Sequence, residues 1–172
     1  EMPEDIQTAV PYIKEIIKAF HIPILEYDGY EADDIIGTMA KQKEEEGYTV
    51  YMVTPDKDYA QLVSPNVFIY KPGRLGNDIE ILGVKEIQEK WEVESPLQVI
   101  DILGMWGDAV DNIPGIPGVG EKTAKKLIKE YGSMENVIAN AENIKGKLGE
   151  NIRNNVEQAR ISKQLATIIL DV

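Results

Sequence analysis

Seven carboxylates fall in three short clusters along a chain that has one histidine and no cysteine. Glu31, Asp33 and Asp34 lie in Gly29-Tyr-Glu-Ala-Asp-Asp34. Asp56 and Asp58 lie in Thr54-Pro-Asp-Lys-Asp58, and Asp108 and Asp111 in Gly107-Asp-Ala-Val-Asp-Asn112. Carboxylate oxygens without imidazole or thiolate nearby are hard ligands, suited to Mg²⁺ or Mn²⁺ and not to zinc. Gathered without cations, they would repel one another and some pKa values would rise; divalent ions remove that cost. Two such ions ~3.5–4 Å apart are the usual apparatus for hydrolysing a phosphodiester. Each cluster also has a plainer reading. Asp33 and Asp34 suit the first turn of a helix, Asp56 suits a helix cap, and Asp111-Asn112 suits a turn.

A second segment could hold an anion. Ile113-Pro-Gly-Ile-Pro-Gly-Val-Gly120 runs directly into Glu121-Lys-Thr-Ala-Lys-Lys126. Gly115, Gly118 and Gly120 allow positive φ and close backbone approach. A helix starting at about Glu121 would offer free amides and the positive end of its dipole to a phosphate. Lys122, Lys125 and Lys126 add positive charge, giving a grip on nucleic-acid backbone that ignores sequence. An ordinary helix–loop–helix turn with a solvated basic face explains the glycines alone.

Positioning these groups requires a folded core. The 172 residues are 43% hydrophobic and 28% charged, the balance of an ordered domain with or without a small second lobe. No apolar run approaches the ~18–20 residues of a membrane span. The chain opens with Glu1, so a fragment is expected. The net charge of -12 is unevenly spread: residues 121–163 hold nine basic and six acidic side chains, leaving nine against twenty-four elsewhere. One acidic and one mildly basic surface are implied.

Periodicity predicts an amphipathic helix over 4–20, carried by Ile6, Val10, Ile13, Ile17 and Phe20. A second helix is predicted from about Ala32 to Glu46, with others over 84–91 and 96–106 and a short turn of helix over 59–63. Strands are predicted at Ile24–Tyr27, Thr49–Val53, Val67–Tyr70 and Ile79–Leu82, the last two joined by the turn-rich KPGRLGND. The alternation implies a parallel α/β sheet, with the first two acidic clusters beyond the carboxyl ends of strands, where ligands bind in open sheets. After Gly107 the patterns are helical only, split at Gly132 and over 143–149. Leu103, Met105, Trp91 and Trp106 read as packing residues.

Together GYEADDIIG, TPDKDYAQLV and GDAVDNIPGIPGVGEKTA resemble the 5′-nuclease domain of bacterial DNA polymerase I, within the flap endonuclease superfamily. The resemblance extends in order to the closing QLATIILDV. It implies a PIN-like α/β core over 1–106, with a parallel sheet and flanking helices, and a helix–three-turn–helix DNA-binding region over 107–172. It implies Mg²⁺ or Mn²⁺ held in a two-metal site by Glu31, Asp33, Asp34, Asp56, Asp58, Asp108 and Asp111. It implies DNA contacts from Gly115, Gly118, Val119, Gly120, Lys122, Thr123, Lys125 and Lys126, and a K⁺ held by the carbonyls of Gly115, Ile116 and Val119. The implied substrates are 5′ flaps, nicks and 5′ ends of DNA in the bacterial cytoplasm, with a polymerase domain following in the full chain. A first strand ending in another metal-binding Asp, and a Lys- and Arg-rich arch, belong to that family and are unmatched before Glu31. Reduced cleavage is therefore expected of this chain. Two other readings stay open: a noncatalytic duplex-binding module using the hairpin alone, and a metal-dependent ribonuclease of similar build.

Overall fold

The computed structural model describes residues 2–73 and 78–172. Among these residues eight helices and three strands follow in chain order: α1 (Glu4–Ala19), α2 (Ala32–Glu45), β1 (Val50–Val53), a 3-10 turn (Asp58–Leu62), β2 (Val67–Lys71), β3 (Glu80–Leu82), α3 (Val84–Trp91), α4 (Gln98–Trp106), α5 (Glu121–Tyr131), α6 (Met134–Ala139), α7 (Gly146–Asn154) and α8 (Val156–Ala166).

The sheet has the order β1-β2-β3. β1 runs parallel to β2, with Val50 opposite Val67 and Met52 opposite Ile69. β3 runs antiparallel to β2, with Leu82 opposite Ile69. The expected all-parallel sheet is thus corrected at β3. Only residues 72–79 join it to β2, and a parallel crossover needs about a dozen residues or more. Residues 74–77 of that KPGRLGND connection lie outside the described residues. Alternation puts Met52, Val67, Ile69 and Leu82 on one buried face. On the other face the Tyr51 and Phe68 rings stack 5.5 Å apart.

The expected strand at Ile24–Tyr27 is not formed; residues 22–27 have no regular structure. A strand exists only where a neighbour takes its backbone hydrogen bonds. Here a cleft of about 820 Å³ lies between Pro23–Asp28 and the free edge of β1, with Ile35, Ile36 and Met39 of α2 at its base. Tyr51 and Val53 of β1, and Leu25 and Tyr27 across from them, remain exposed. The predicted helix over 4–20 does form, yet none of its residues is buried, so the stripe that forecast it is unpartnered among the described residues.

The core is centred on α4, whose Val99, Ile102, Leu103 and Met105 are almost fully buried. Full burial of one such side chain is worth ~1.5–3 kcal/mol. α4 packs on α5 and α8, and against the 3-10 turn. Gly104 permits the closest approach: a Cβ there would lie 2.8 Å from the Lys163 Cα of α8. Lys163 also bonds Asp101 at 2.6 Å and Glu135 at 2.8 Å, tying α4, α6 and α8 together. The helical region is broken at Gly132 as expected; of the break expected over 143–149 only 143–145 is non-helical, because α7 starts at Gly146, and a further break falls at Asn155 between α7 and α8.

Candidate metal centre and backbone-binding hairpin

Each acidic cluster is built by a local device. At the end of α4, Gly107 turns the chain with φ +79°. Asp108 and Ile113 then exchange two backbone hydrogen bonds of 2.8 Å, closing a loop that presents Asp108 and Asp111. Gly115, at φ +61°, donates its N–H to Ser162 Oγ at 3.0 Å. After β1, Asp56 N–H donates to Thr54 Oγ1 at 3.1 Å, and Asp58 N–H donates to Asp56 Oδ1 at 3.0 Å. The 3-10 turn therefore starts with both carboxylates at the end of β1. At α2, Asp34 Oδ2 accepts from the Glu31 N–H at 3.2 Å and Asp34 Oδ1 from the Ile169 N–H at 2.8 Å.

These devices bring together residues that lie up to 80 positions apart in sequence. Glu31, Asp33, Asp34, Asp56, Asp58 and Asp111 line one cavity of about 170 Å³, floored by Leu165–Ile168. Asp108 adjoins it: carboxylate oxygens of Asp58, Asp108 and Asp111 lie within 4.8 Å of one another. Two carboxylates at that separation repel by about 3 kcal/mol at an effective dielectric of ~20. Asp58 Oδ1 is buried with no hydrogen-bond partner. Burial, and then the charge of Asp56, push the Asp58 carboxyl up to about 6. The Lys57 ammonium hydrogen-bonds Asp108 and holds that carboxyl below the ordinary carboxylate range. An orphaned buried oxygen among all-oxygen donors fits a hard divalent cation. Two of the seven have both oxygens engaged: Asp108 on the Lys57 ammonium and the Val110 N–H, and Asp34 on two backbone amides, through which it orients the α2 terminus and the chain end.

The hairpin faces outward at Gly118 and Gly120, ahead of α5. Lys122 and Lys126 are exposed, and Thr123 is half-buried. Lys125 turns away. Its ammonium lies 5.4 Å from the centre of the Trp91 ring, donates to the Lys90 carbonyl at 3.0 Å and pairs with Glu121 at 2.7 Å. Gly115, Ile116 and Val119 are buried. The Gly115 carbonyl already accepts from Gln158 Nε2 at 2.7 Å, and the Ile116 carbonyl from the Val119 N–H at 3.0 Å. A K⁺ there would use their second lone pairs.

Two family profiles match the chain. The 5'-3' exonuclease, N-terminal resolvase-like domain covers residues 1–92, and the 5'-3' exonuclease, C-terminal SAM fold covers 94–172. The chain belongs to the 5'-3' exonuclease family. It is 42% identical to DNA polymerase I of Bacillus caldotenax and 45% identical to that of Geobacillus stearothermophilus, each over 99% of this chain. The chain spans about one fifth of the length of those relatives, 20% of each. In fold it matches a crystal structure of T5 D15 protein co-crystallised with metal ions, with a TM-score of 0.80 and 21% identity. That match covers 96% of this chain and 64% of the T5 chain. A pseudo-enzyme-product complex of the same phage flap endonuclease with DNA and metal ions matches with a TM-score of 0.75 and 21% identity, over 96% of this chain and 62% of that one.

Within this exonuclease-family fold, several residues that shape the site give no local sign in the sequence. Gln61 donates to the Ala166 carbonyl at 2.9 Å and accepts from the Ile168 N–H at 3.0 Å, which fixes the floor of the acidic cavity. Ser162 holds Gly115, and Gln158 holds its carbonyl. Lys57 sits inside a recognised string, but its partner Asp108 is 51 residues away. None of these pairings has a spacing signature.

Proposed function

We propose that this chain carries the carboxylate site of a metal-dependent 5′-nuclease that hydrolyses DNA phosphodiesters at 5′ flaps, nicks and 5′ ends. The observation that carries this reading is the convergence of Asp58, Asp108 and Asp111, from two separate loops, to within 4.8 Å beside the cavity lined by Glu31, Asp33 and Asp56. When bound, Mg²⁺ or Mn²⁺ would lower the pKa of an attacking water and stabilise the leaving oxygen. Asp58, Asp108 and Asp111 would hold one ion, while Glu31, Asp33 and Asp56 offer oxygens for a second. Asp34 and Gln61 would keep the cavity in shape. Lys122 and Lys126, beside the amide-rich start of α5, would hold duplex phosphates and set where the strand enters. The polymerase-type relatives support a cytoplasmic role in replication and repair with a polymerase domain in the same protein.

The resemblance also implies a further strand bearing an additional Asp, and we place it in the cleft beside β1. The test compares this chain with one extended by that strand on a labelled 5′-flap duplex in Mg²⁺, and on single-stranded RNA. Flap cleavage lost in Asp58→Asn with Asp111→Asn supports the reading. Cleavage untouched by that double variant, or cleavage of RNA alone, overturns it.

A further inference from the structure

Lys57 is the one cation set among the carboxylates of the Thr54–Asp58 and Asp108–Asp111 loops among the described residues. Its ammonium hydrogen-bonds Asp108 and lies 4.0 Å from Asp58 Oδ1. It is also 5.7 Å from the centre of the Trp106 ring. Asp108 therefore has one oxygen on Lys57 and the other on the Val110 N–H at 2.9 Å. Neither is free. Yet this same residue is one of the three whose oxygens converge with Asp58 and Asp111. The ion-binding arrangement and the Lys57 pair compete for one carboxylate.

We propose that Lys57 is a tethered competitor of the divalent ion, neutralising Asp108 when the edge is metal-free and giving it up when an ion binds. This rests on the metal-site reading above. Without Lys57, three carboxylates would face one another uncompensated; with it, metal must displace a paired ammonium. The Trp106 face gives the released ammonium a second resting place, since aromatic faces attract cations. Because Lys57 is attached to the neighbour of Asp58, it cannot diffuse away. It lowers the affinity of the site and keeps the loops in position until an ion arrives.

The proposal fixes a direction that a purely structural ion pair would not. Removing a structural pair would loosen the loops and weaken metal binding. Removing a competitor strengthens it, and removing a positive charge beside a cation site acts the same way. The test is calorimetric titration of this chain with Mn²⁺ alone, with thermal melts in and out of the metal. Lys57→Gln keeps a hydrogen-bonding group without the charge, and should bind Mn²⁺ tighter by at least about tenfold, given that an adjacent opposite charge commonly shifts a carboxylate by one to three pKa units. Its metal-free melting temperature should fall and the increment on adding Mn²⁺ should grow. Lys57→Arg keeps the charge and should bind no tighter than the parent. Where Lys57→Gln is too unstable to titrate metal-free, Lys57→Arg and Lys57→Met titrated from the Mn²⁺-loaded state by chelator competition give the same ordering. Equal or weaker binding by the neutral variants, with the parent binding normally, overturns the Lys57 proposal and leaves the metal site standing. No Mn²⁺ binding by the parent or any variant overturns both.

Discussion

Gly107 and Gly115 pack backbone against backbone at the root of the Asp108–Asp111 loop. A Cβ on Gly115 would lie 2.6 Å from the Gly107 nitrogen and 2.5 Å from the Trp106 carbonyl carbon. Both residues have positive φ. Gly115→Ala should therefore cost roughly 2–4 kcal/mol, combining the left-handed penalty with overpacking. Urea unfolding measures it. The loop carrying two of the converging carboxylates is displaced by the same clash, so Mn²⁺ affinity should fall as well. A variant with parental stability would show that the loop is not pinned there.

Asp58 gives the metal-free protein a distinctive pH response. Its carboxyl is pushed from an ordinary 3.8 up to about 6 by burial and by Asp56. The folded state therefore holds that proton more tightly than the unfolded chain does. Its stabilising contribution is full below about pH 4 and is lost as pH rises through 6. Asp108, held down by Lys57, acts in the opposite sense: its contribution is lost as pH falls. Comparing the parent with Asp58→Asn isolates the first effect. The variant should be more stable at pH 7 by roughly 1–2 kcal/mol, discounting the full shift for partial solvation, and the gap should close toward pH 4. It should also bind Mn²⁺ more weakly. A gap that widens toward low pH would reverse the assignment.

Local pattern makes α2 and α3 legible: apolar spacing and the Gly47 stop sit inside the segments they define. The acidic strings are legible for the same reason, since each is contiguous. Ile24–Tyr27 has the composition of a strand, but a strand is a property of a pair, and β1 across the cleft is not within hydrogen-bonding reach. The direction of β3 follows from connection length, not from composition. Gln61, Ser162 and the Lys57–Asp108 pair leave no trace in the sequence because their partners lie 105, 47 and 51 residues away. Lys125 reads as a DNA-facing cation from its spacing, yet α3 supplies a Trp91 face that the spacing of α5 cannot reveal.

That last placement separates three lysines of one helix. Lys122→Ala with Lys126→Ala should weaken duplex binding alike for unrelated sequences, and should flatten the slope of log affinity against log salt by up to about 2, as phosphate contacts release counterions. Lys125→Ala should change binding little and instead lower stability by ~1 kcal/mol, through loss of its contacts with Trp91, Glu121 and the Lys90 carbonyl. Fluorescence anisotropy over a salt series, beside urea unfolding, distinguishes them. A larger binding loss from Lys125→Ala than from the pair would reassign the contact surface.

The free edge of β1 makes the final prediction. β1 bonds β2 on one side only among the described residues, and its other side opens on the apolar cleft. Unpaired backbone groups flanked by exposed apolar side chains template further pairing. The cleft brings Tyr51 and Val53 together with Leu25 and Tyr27, each more than half exposed. This chain should consequently self-associate as concentration rises, and should enhance the fluorescence of an apolar dye. Tyr51→Lys with Val53→Lys places charge along the edge and should suppress both effects without lowering Mn²⁺ affinity, because neither residue lines the acidic cavity. Sedimentation velocity at increasing concentration reads the first effect and dye titration the second. In a chain extended by the strand proposed above, that strand would cover the edge, so the same lysine pair should destabilise the extended chain. A monomer with no dye response at any concentration would mean that the cleft is closed in solution, and the placement of an additional strand there would fail with it.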